Sequence, residues 1–284
     1  MDKHGFTLDL GRYKLKLSER RSRIMGILNL TPDSFSGDGM YPAPVSKIVD
    51  RAQKMVEEGA DILDIGGESS RPGSMAVPLK EELKRTIPAI RALSKSVKVP
   101  LSIDTCKPEV ARAALENGAV IINDIRGFRN PKMARLAAKK KAAVIIMHMK
   151  GMPRTMQRNP SYKCLIKEIV EFLADSIKSA IEQGIDRNKI IIDPGIGFGK
   201  SREHNLEIIK KLESFKSLGR PILVGPSRKS FIGKVLKTAP QERVFGTVSV
   251  SVVAVKNGAG IVRTHDVKEV RQALKMLDAL NRTK

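Results

Sequence analysis

Seven side chains in this sequence are of types that bind a polar, charged ligand: Asn29, Asp104, Asn123, Asp193, Lys229, Arg263 and His265. Each stands at or shortly beyond the end of a short apolar run. A carboxylate accepts two parallel N–H bonds, which suits an aminopyrimidine or guanidine edge, and an amide beside it reads both a donor and an acceptor. Asp104, Asn123 and Asp193 together could hold one flat polar ligand. Lys229, Arg263 and His265 supply cations, and an arginine is well shaped for bidentate phosphate recognition. Asn29 could ligate a Mg²⁺ that bridges phosphate oxygens, since that ion combines few protein oxygens with substrate phosphates. Taken singly, each has a plainer reading as a helix-capping carboxylate, a turn asparagine or a surface cation.

Other chemistries find no support. Gly199-Lys200-Ser201 has the ending of a P-loop, but the first glycine of that motif would fall on Pro194. Gly195 to Gly199 reads GxGxG rather than the dinucleotide-binding GxGxxG. The four histidines, His4, His148, His204 and His265, lack metal-ligand spacing, and no His-x-His follows the first strand. Two cysteines, Cys106 and Cys164, make neither a disulfide framework nor a four-ligand zinc site. Cys106 reads as packing. No nucleophile–base pair for acyl transfer stands out.

The elements that must position these residues form a regular rhythm of apolar run, polar turn and helical pattern. Predicted strands are Ile24–Asn29, Ile62–Ile65, Leu101–Asp104, Val120–Asn123, Ala143–His148, Ile190–Asp193, Ile222–Val224 and Ile261–Arg263. Being short and almost wholly apolar, they read as strands buried on both faces. Pro108 and Pro131 sit where first helical turns begin, and Gly59, Gly118, Gly184 and Gly258 follow helix ends. Eight strand–helix units in a chain of this length predict an α/β fold, a single (β/α)8 TIM barrel spanning 23–284. Ahead of it, Phe6, Leu8 and Leu10, then Tyr13, Leu15 and Leu17, alternate around Gly11-Arg12. Residues 1–22 therefore form a β-hairpin that covers the bottom of the barrel.

Barrel enzymes carry their sites at the C-terminal ends of the strands. Those ends bear Asn29, Asp64, Asp104, Asn123-Asp124, Met147-His148, Asp193, Gly225 and Arg263-Thr264-His265. The runs Arg20–Arg23 and Lys139–Lys141 precede strands instead, which sends part of the charge to the opposite rim.

With 52 Lys and Arg against 30 Asp and Glu, the 284-residue chain carries a formal charge of +22. Aromatic residues are only 4% with no tryptophan, leaving little for base stacking, so the charge reads as a solvated surface rather than a nucleic-acid interface. No apolar stretch has the length of a membrane span, and the N-terminus lacks the apolar core of a signal peptide. A reducing cytoplasmic setting is expected.

The chain resembles the dihydropteroate synthase family. The resemblance runs through Gly26–Ser36, Asp64–Gly73, Ser102–Thr105, Asn123–Ile125, Met147–Met149, Asp193–Lys200, Ser227–Ser230 and Arg263–Asp266, in family order over almost the whole chain. It implies an enzyme joining p-aminobenzoate to 6-hydroxymethyl-7,8-dihydropterin diphosphate, with release of diphosphate, in folate synthesis. It further implies Mg²⁺, sulfonamides as competitors and a homodimer formed through barrel helices. Carried over by motif, Asp104, Asn123, Met147, Asp193, Phe198, Gly225, Lys229 and Arg263 line the pterin site. Phe35, Ser70, Arg71, Pro72 and Ser227 shape the p-aminobenzoate pocket. Asn29, Arg71, Arg263 and His265 hold the diphosphate, with Asn29 on the metal. Asn29, Asp33, Lys229, Arg263 and His265 are the catalytic set.

The chain departs from the family pattern at three places. Ser70 replaces the usual threonine, Ser36-Gly37-Asp38-Gly39 replaces Ser-Asp-Gly-Gly, and Thr264 replaces valine, its hydroxyl expected to face a helix. Two other readings fit less of the motif set: a pterin-binding methyltransferase module, which needs no diphosphate site, and a non-catalytic basic barrel that binds nucleic acid.

Overall fold

A computed structural model describes residues 6–17, 22–32, 39–69, 74–152 and 155–283. The polar–apolar alternation at the N-terminus forms an antiparallel hairpin of β1 (Phe6–Asp9) and β2 (Lys14–Leu17), with Leu8 opposite Leu15. Eight parallel strands follow: β3 (Arg23–Asn29), β4 (Ile62–Gly66), β5 (Leu101–Asp104), β6 (Ile121–Asp124), β7 (Ala143–Met147), β8 (Ile190–Asp193), β9 (Leu223–Val224) and β10 (Ile261–Thr264). Their order is β8-β7-β6-β5-β4-β3-β10-β9, and a parallel bridge between Ile192 and Ile222 brings the two ends together. Strand limits lie within a residue of those the sequence predicts.

Helices α1 (Val45–Glu57), α2 (Leu79–Ser96), α3 (Pro108–Glu116), α4 (Pro131–Lys139), α5 (Leu165–Glu182) and α6 (Arg202–Lys210) link successive strands from β3 to β9. After β9 the chain forms two helices, α7 (Ser230–Leu236) and α8 (Val244–Lys256), before β10 and the closing α9 (Val267–Leu280). Simple counting of units missed α7, a seven-residue helix too short to show a period. Pro108 and Pro131 do open α3 and α4. No helix among the described residues is long and apolar enough to cross a membrane.

The apolar strands divide their side chains between two cores. Ile24, Leu63, Ile103, Ile122, Val144, Ile192, Val224 and Val262 pack outward under the helices. Their neighbours Met25, Ile62, Ile121, Ile145, Ile191, Leu223 and Ile261 point inward and pack with Leu8, Leu10, Leu15 and Leu17 of the hairpin. The hairpin thus seals the lower end of the barrel with leucines that are at most 8% exposed.

Arg23 ties this plug down. Its Nε donates to the Lys16 carbonyl at 3.0 Å, and its guanidinium pairs with Asp61 at 2.8 Å. Part of the basic run therefore has a structural task at the bottom rim.

Candidate functional site

Side chains on one face of a strand recur every second residue. Two residues beyond the inward apolar layer, the same strands place Asp64, Asn123, Met147, Asp193, Gly225 and Arg263, so the upper layer of the barrel interior is polar where the lower is dry. β5 brings Ser102 and Asp104 to this interior, and β3 ends on Asn29.

Arg263 organises the centre. Its Nε donates to Asp64 Oδ2 at 2.6 Å and its terminal nitrogen to Asp104 Oδ2 at 2.8 Å. Asn123 Nδ2 donates to the same Asp64 oxygen at 2.9 Å. Asp64 is wholly buried, and its second oxygen accepts no hydrogen bond among the described residues. Burial pushes the Asp104 carboxyl up to about 7; Arg263 opposes the rise, while Asp64 and Glu82 add to it. The same two carboxylates hold Arg263 firmly protonated although burial acts against it.

Asp193 and Lys229 form the opposite wall. Burial raises the Asp193 carboxyl while Lys229 and a 2.7 Å bond from the Gly195 N–H restrain it. Burial pushes the Lys229 ammonium down to about 8, against the pull of Asp193 and Asp104. Its Nζ donates to the Ile196 carbonyl and lies 4.5 Å from the centre of the Phe198 ring. Met147, Met149, Met156 and Ile125 form a small apolar cluster against which Phe198 and Cys106 pack. Burial drives the Cys106 thiol upward, which suits packing rather than thiolate chemistry.

A third group lies over β10. His265 Nδ1 is 2.9 Å from Ser227 Oγ, which also takes the His265 N–H at 3.1 Å. The other ring nitrogen lies 3.3 Å from Asn29 Nδ2. Ser227 therefore sits beside the residues predicted for the anion. Thr264 Oγ1 donates to Ser227 Oγ at 3.3 Å and accepts the Asp266 N–H at 3.0 Å, so its hydroxyl faces the start of α9 as well as the site. Arg228 turns away through a left-handed φ of 53° and pairs with Asp266. That cation serves the fold.

Of the predicted residues, the structure gathers Asn29, Asp104, Asn123, Met147, Asp193, Phe198, Gly225, Ser227, Lys229, Arg263 and His265 at one mouth. Asp33, Phe35, Ser70, Arg71 and Pro72 lie outside the described residues, as do the Gly37 and Asp38 departures. Asp64 carries no assigned role in the sequence reading, yet it anchors both Arg263 and Asn123. Its signal was an acid inside an otherwise apolar run.

The arrangement offers acceptors on two walls with cations beside them. It is suited to holding a flat nitrogen-rich ring and an attached anion.

Comparison with known proteins agrees. The pterin binding enzyme family matches residues 25–265. A dihydropteroate synthase from Synechocystis is 48% identical over 263 residues, covering 92% of this chain and 91% of that protein. The Yersinia pestis dihydropteroate synthase, solved with a sulfonamide drug, superposes with a TM-score of 0.91 at 42% identity, covering 95% and 98% of the two chains. The Xanthomonas albilineans dihydropteroate synthase, solved with 4-aminobenzoic acid, gives 0.91 at 41% identity over 99% and 100%.

Proposed function

The chain belongs to the pterin binding enzyme family, and from that membership we infer how its rim works. The protein is an enzyme that joins p-aminobenzoate to 6-hydroxymethyl-7,8-dihydropterin diphosphate, giving 7,8-dihydropteroate and diphosphate. The observation that carries this reading is the polar layer itself: Asp64 and Asp104 joined by Arg263 on one wall, Asp193 with Lys229 on the other, set directly above a sealed apolar core.

Asp104, Asn123 and Asp193 read the donor edge of the pterin, with Asp64 fixing Asn123 and Arg263. Lys229 neutralises Asp193 and donates to the ring. Met147, Phe198 and Gly225 bound the slot. Arg263 faces the ring and, with His265, Asn29 and Arg71, meets the diphosphate. Phe35, Ser70, Arg71, Pro72 and Ser227 receive p-aminobenzoate, and Asp33 joins the catalytic set.

Diphosphate departs from a methylene on an electron-rich ring, so the path is dissociative and carbocation-like. Such a path calls for cations at the leaving group rather than a strong base. The arylamine is neutral and nucleophilic without activation, and exclusion of water protects the cation.

Asn29 suits a Mg²⁺ that arrives with the diphosphate. Its Oδ1 is a hard oxygen donor with no hydrogen bond among the described residues, and no cluster of three or more metal-binding side chains is found among them. When bound, the ion would supply charge neutralisation at the diphosphate.

Diphosphate release is the test. Mixing the protein with the pterin diphosphate and Mg²⁺ should give release that depends on p-aminobenzoate, yields dihydropteroate and falls on chelation. Pterin binding without that product would leave the pocket standing and remove the activity. Sulfonamides should compete with p-aminobenzoate.

A homodimer is the assembly that the helices favour. α8 reads Val244-Phe-Gly-Thr-Val-Ser-Val-Ser-Val-Val-Ala-Val-Lys256 and is nearly free of charge, yet Phe245 is 81% exposed. Val253 and Leu236, with Met276 and Leu280 on α9, extend this apolar exposure. Phe245→Asp should convert a dimeric species to monomer in light scattering. A wild-type monomer at assay concentration would refute the dimer. Both described cysteines are unpaired, which supports a reducing cytoplasmic compartment.

A further inference from the structure

The turn after β8 is held by its carbonyls. Lys229 Nζ donates to Ile196 O, Gln157 Nε2 to Gly197 O at 2.6 Å, Lys200 Nζ to Phe198 O at 3.0 Å, and Tyr162 OH to Gly199 O at 2.8 Å. Four consecutive acceptors are thus satisfied by four side chains. Its N–H groups are held too, with Gly195 bound to Asp193 and Gly197 to Asn205 Oδ1, each at 2.7 Å. Since about two-thirds of protein hydrogen bonds join backbone to backbone, four successive carbonyls all served by side chains depart from the common pattern.

The backbone is also pressed close to its neighbour. Gly195 and Gly199 have φ of +73° and +63°, and a Cβ added to them would lie 1.8 Å from His148 O and 2.4 Å from Lys150 O. The turn is therefore seated on the segment that follows β7.

Lys200 is the central fastening. It is only 2% exposed, and its Nζ stands 2.9 Å from His148 Nδ1 as well as on Phe198 O. His148 in turn donates its backbone N–H to the Asp193 carbonyl at 2.9 Å. Its ring meets Phe172 edge-on at 4.9 Å. Burial lowers the proton affinity of both Lys200 and His148, with the two groups lying in one dry pocket. A lysine is costly there unless its bonds are needed.

We propose that Lys200 is a positioning residue for pterin recognition, fixing the turn so that Asp193, Phe198 and Lys229 meet the ring in one register. Gln157 and Tyr162 act in the same way from the segment after β7. This inference rests on the reading of the rim as a pterin site. Lys200 itself stays behind the Phe198 backbone and touches no substrate.

The test separates the two substrates. Lys200→Met keeps much of the volume and removes the hydrogen bonds. It should raise KM for the pterin diphosphate about tenfold, the order expected when the two hydrogen bonds of one buried group are lost. KM for p-aminobenzoate should stay within about twofold, since the hydrogen bonds of Lys200 go to His148 and Phe198, neither of which is assigned to that pocket. Tyr162→Phe, which deletes a single hydroxyl, should move the pterin KM in the same direction by a few-fold. Thermal melting recorded alongside shows whether a loss of stability accompanies the change.

Wild-type pterin KM in both variants would overturn the proposal, whatever happens to the melting temperature. An equal rise in both KM values would overturn it as well, because it would mark a general loss of order. Should Lys200→Met fail to fold, Tyr162→Phe and Gln157→Ala decide on the same criterion. Failure of the wild-type protein to bind or turn over the pterin diphosphate would remove the rim reading and this inference together.

Discussion

Replacing Arg263 with alanine is expected to abolish turnover and to lower stability near pH 8 by about 3–5 kcal/mol, the usual cost of stranding one side of a buried ion pair. The loss is large because two acids depend on this one cation. Asp64 is fully buried and already has an unpartnered oxygen, and Asp104 is held by the same guanidinium.

The deficit should depend on pH. The Asp104 carboxyl stands at about 7 in the folded protein, against about 4 in an unfolded chain. The fold therefore binds a proton that the unfolded state releases, and stability falls as pH rises through that window. Without Arg263 the charged form is disfavoured further, so the deficit is greatest above pH 7 and shrinks toward about pH 5, where protonation relieves it. Denaturant unfolding of both proteins across this range is the measurement. A deficit that stays constant with pH would show that ionisation of Asp104 is not its source.

Replacing Lys229 with alanine should raise KM for the pterin diphosphate about a hundredfold, as expected for removing one member of a buried charge pair at a binding site. Asp193 would then face the ligand without the cation that restrains it most, leaving only the weaker pull of Lys200 and Arg263. The wild-type enzyme should also show a narrow optimum in kcat/KM for the pterin substrate. Below about 7 the rate falls as Asp104 takes up a proton and loses an acceptor. Above about 8 it falls as Lys229 gives up its charge. These are limbs of the free enzyme, which kcat/KM reports.

Lys229→Arg makes the assignment sharp. Arginine stays protonated across this range, so the alkaline limb should disappear while the acid limb remains. An alkaline limb unchanged in Lys229→Arg would assign it to another group.

The barrel was legible because strands buried on both faces leave short, almost wholly apolar runs. Ile190–Asp193 is an example in which the run and the strand coincide. The hairpin was legible for the opposite reason, since one face is wet and Phe6 to Leu17 alternate. Most of the rim followed from the ends of those runs.

What stayed hidden was pairing. Asp64 and Arg263 are 199 residues apart, and only closure of the barrel makes them partners. The same holds for Gln157 and Tyr162 on the turn after β8, whose side chains give no periodic signal in a loop. Ser227 shows a related limit: its motif marks it for p-aminobenzoate, while its hydrogen bonds tie it to His265. Motifs name residues, but contacts between loops decide what each one faces.

The leucine plug beneath the barrel also governs traffic. With Leu8, Leu10, Leu15 and Leu17 filling the lower end, the barrel is stopped from below by the described residues. A plugged floor implies that both reactants enter, and both products leave, from the side of Asp104 and Arg263. The assembled dihydropteroate, longer than either of its parts, has to withdraw along the route by which they came. Until it and the diphosphate clear that passage, the next pterin cannot reach the floor.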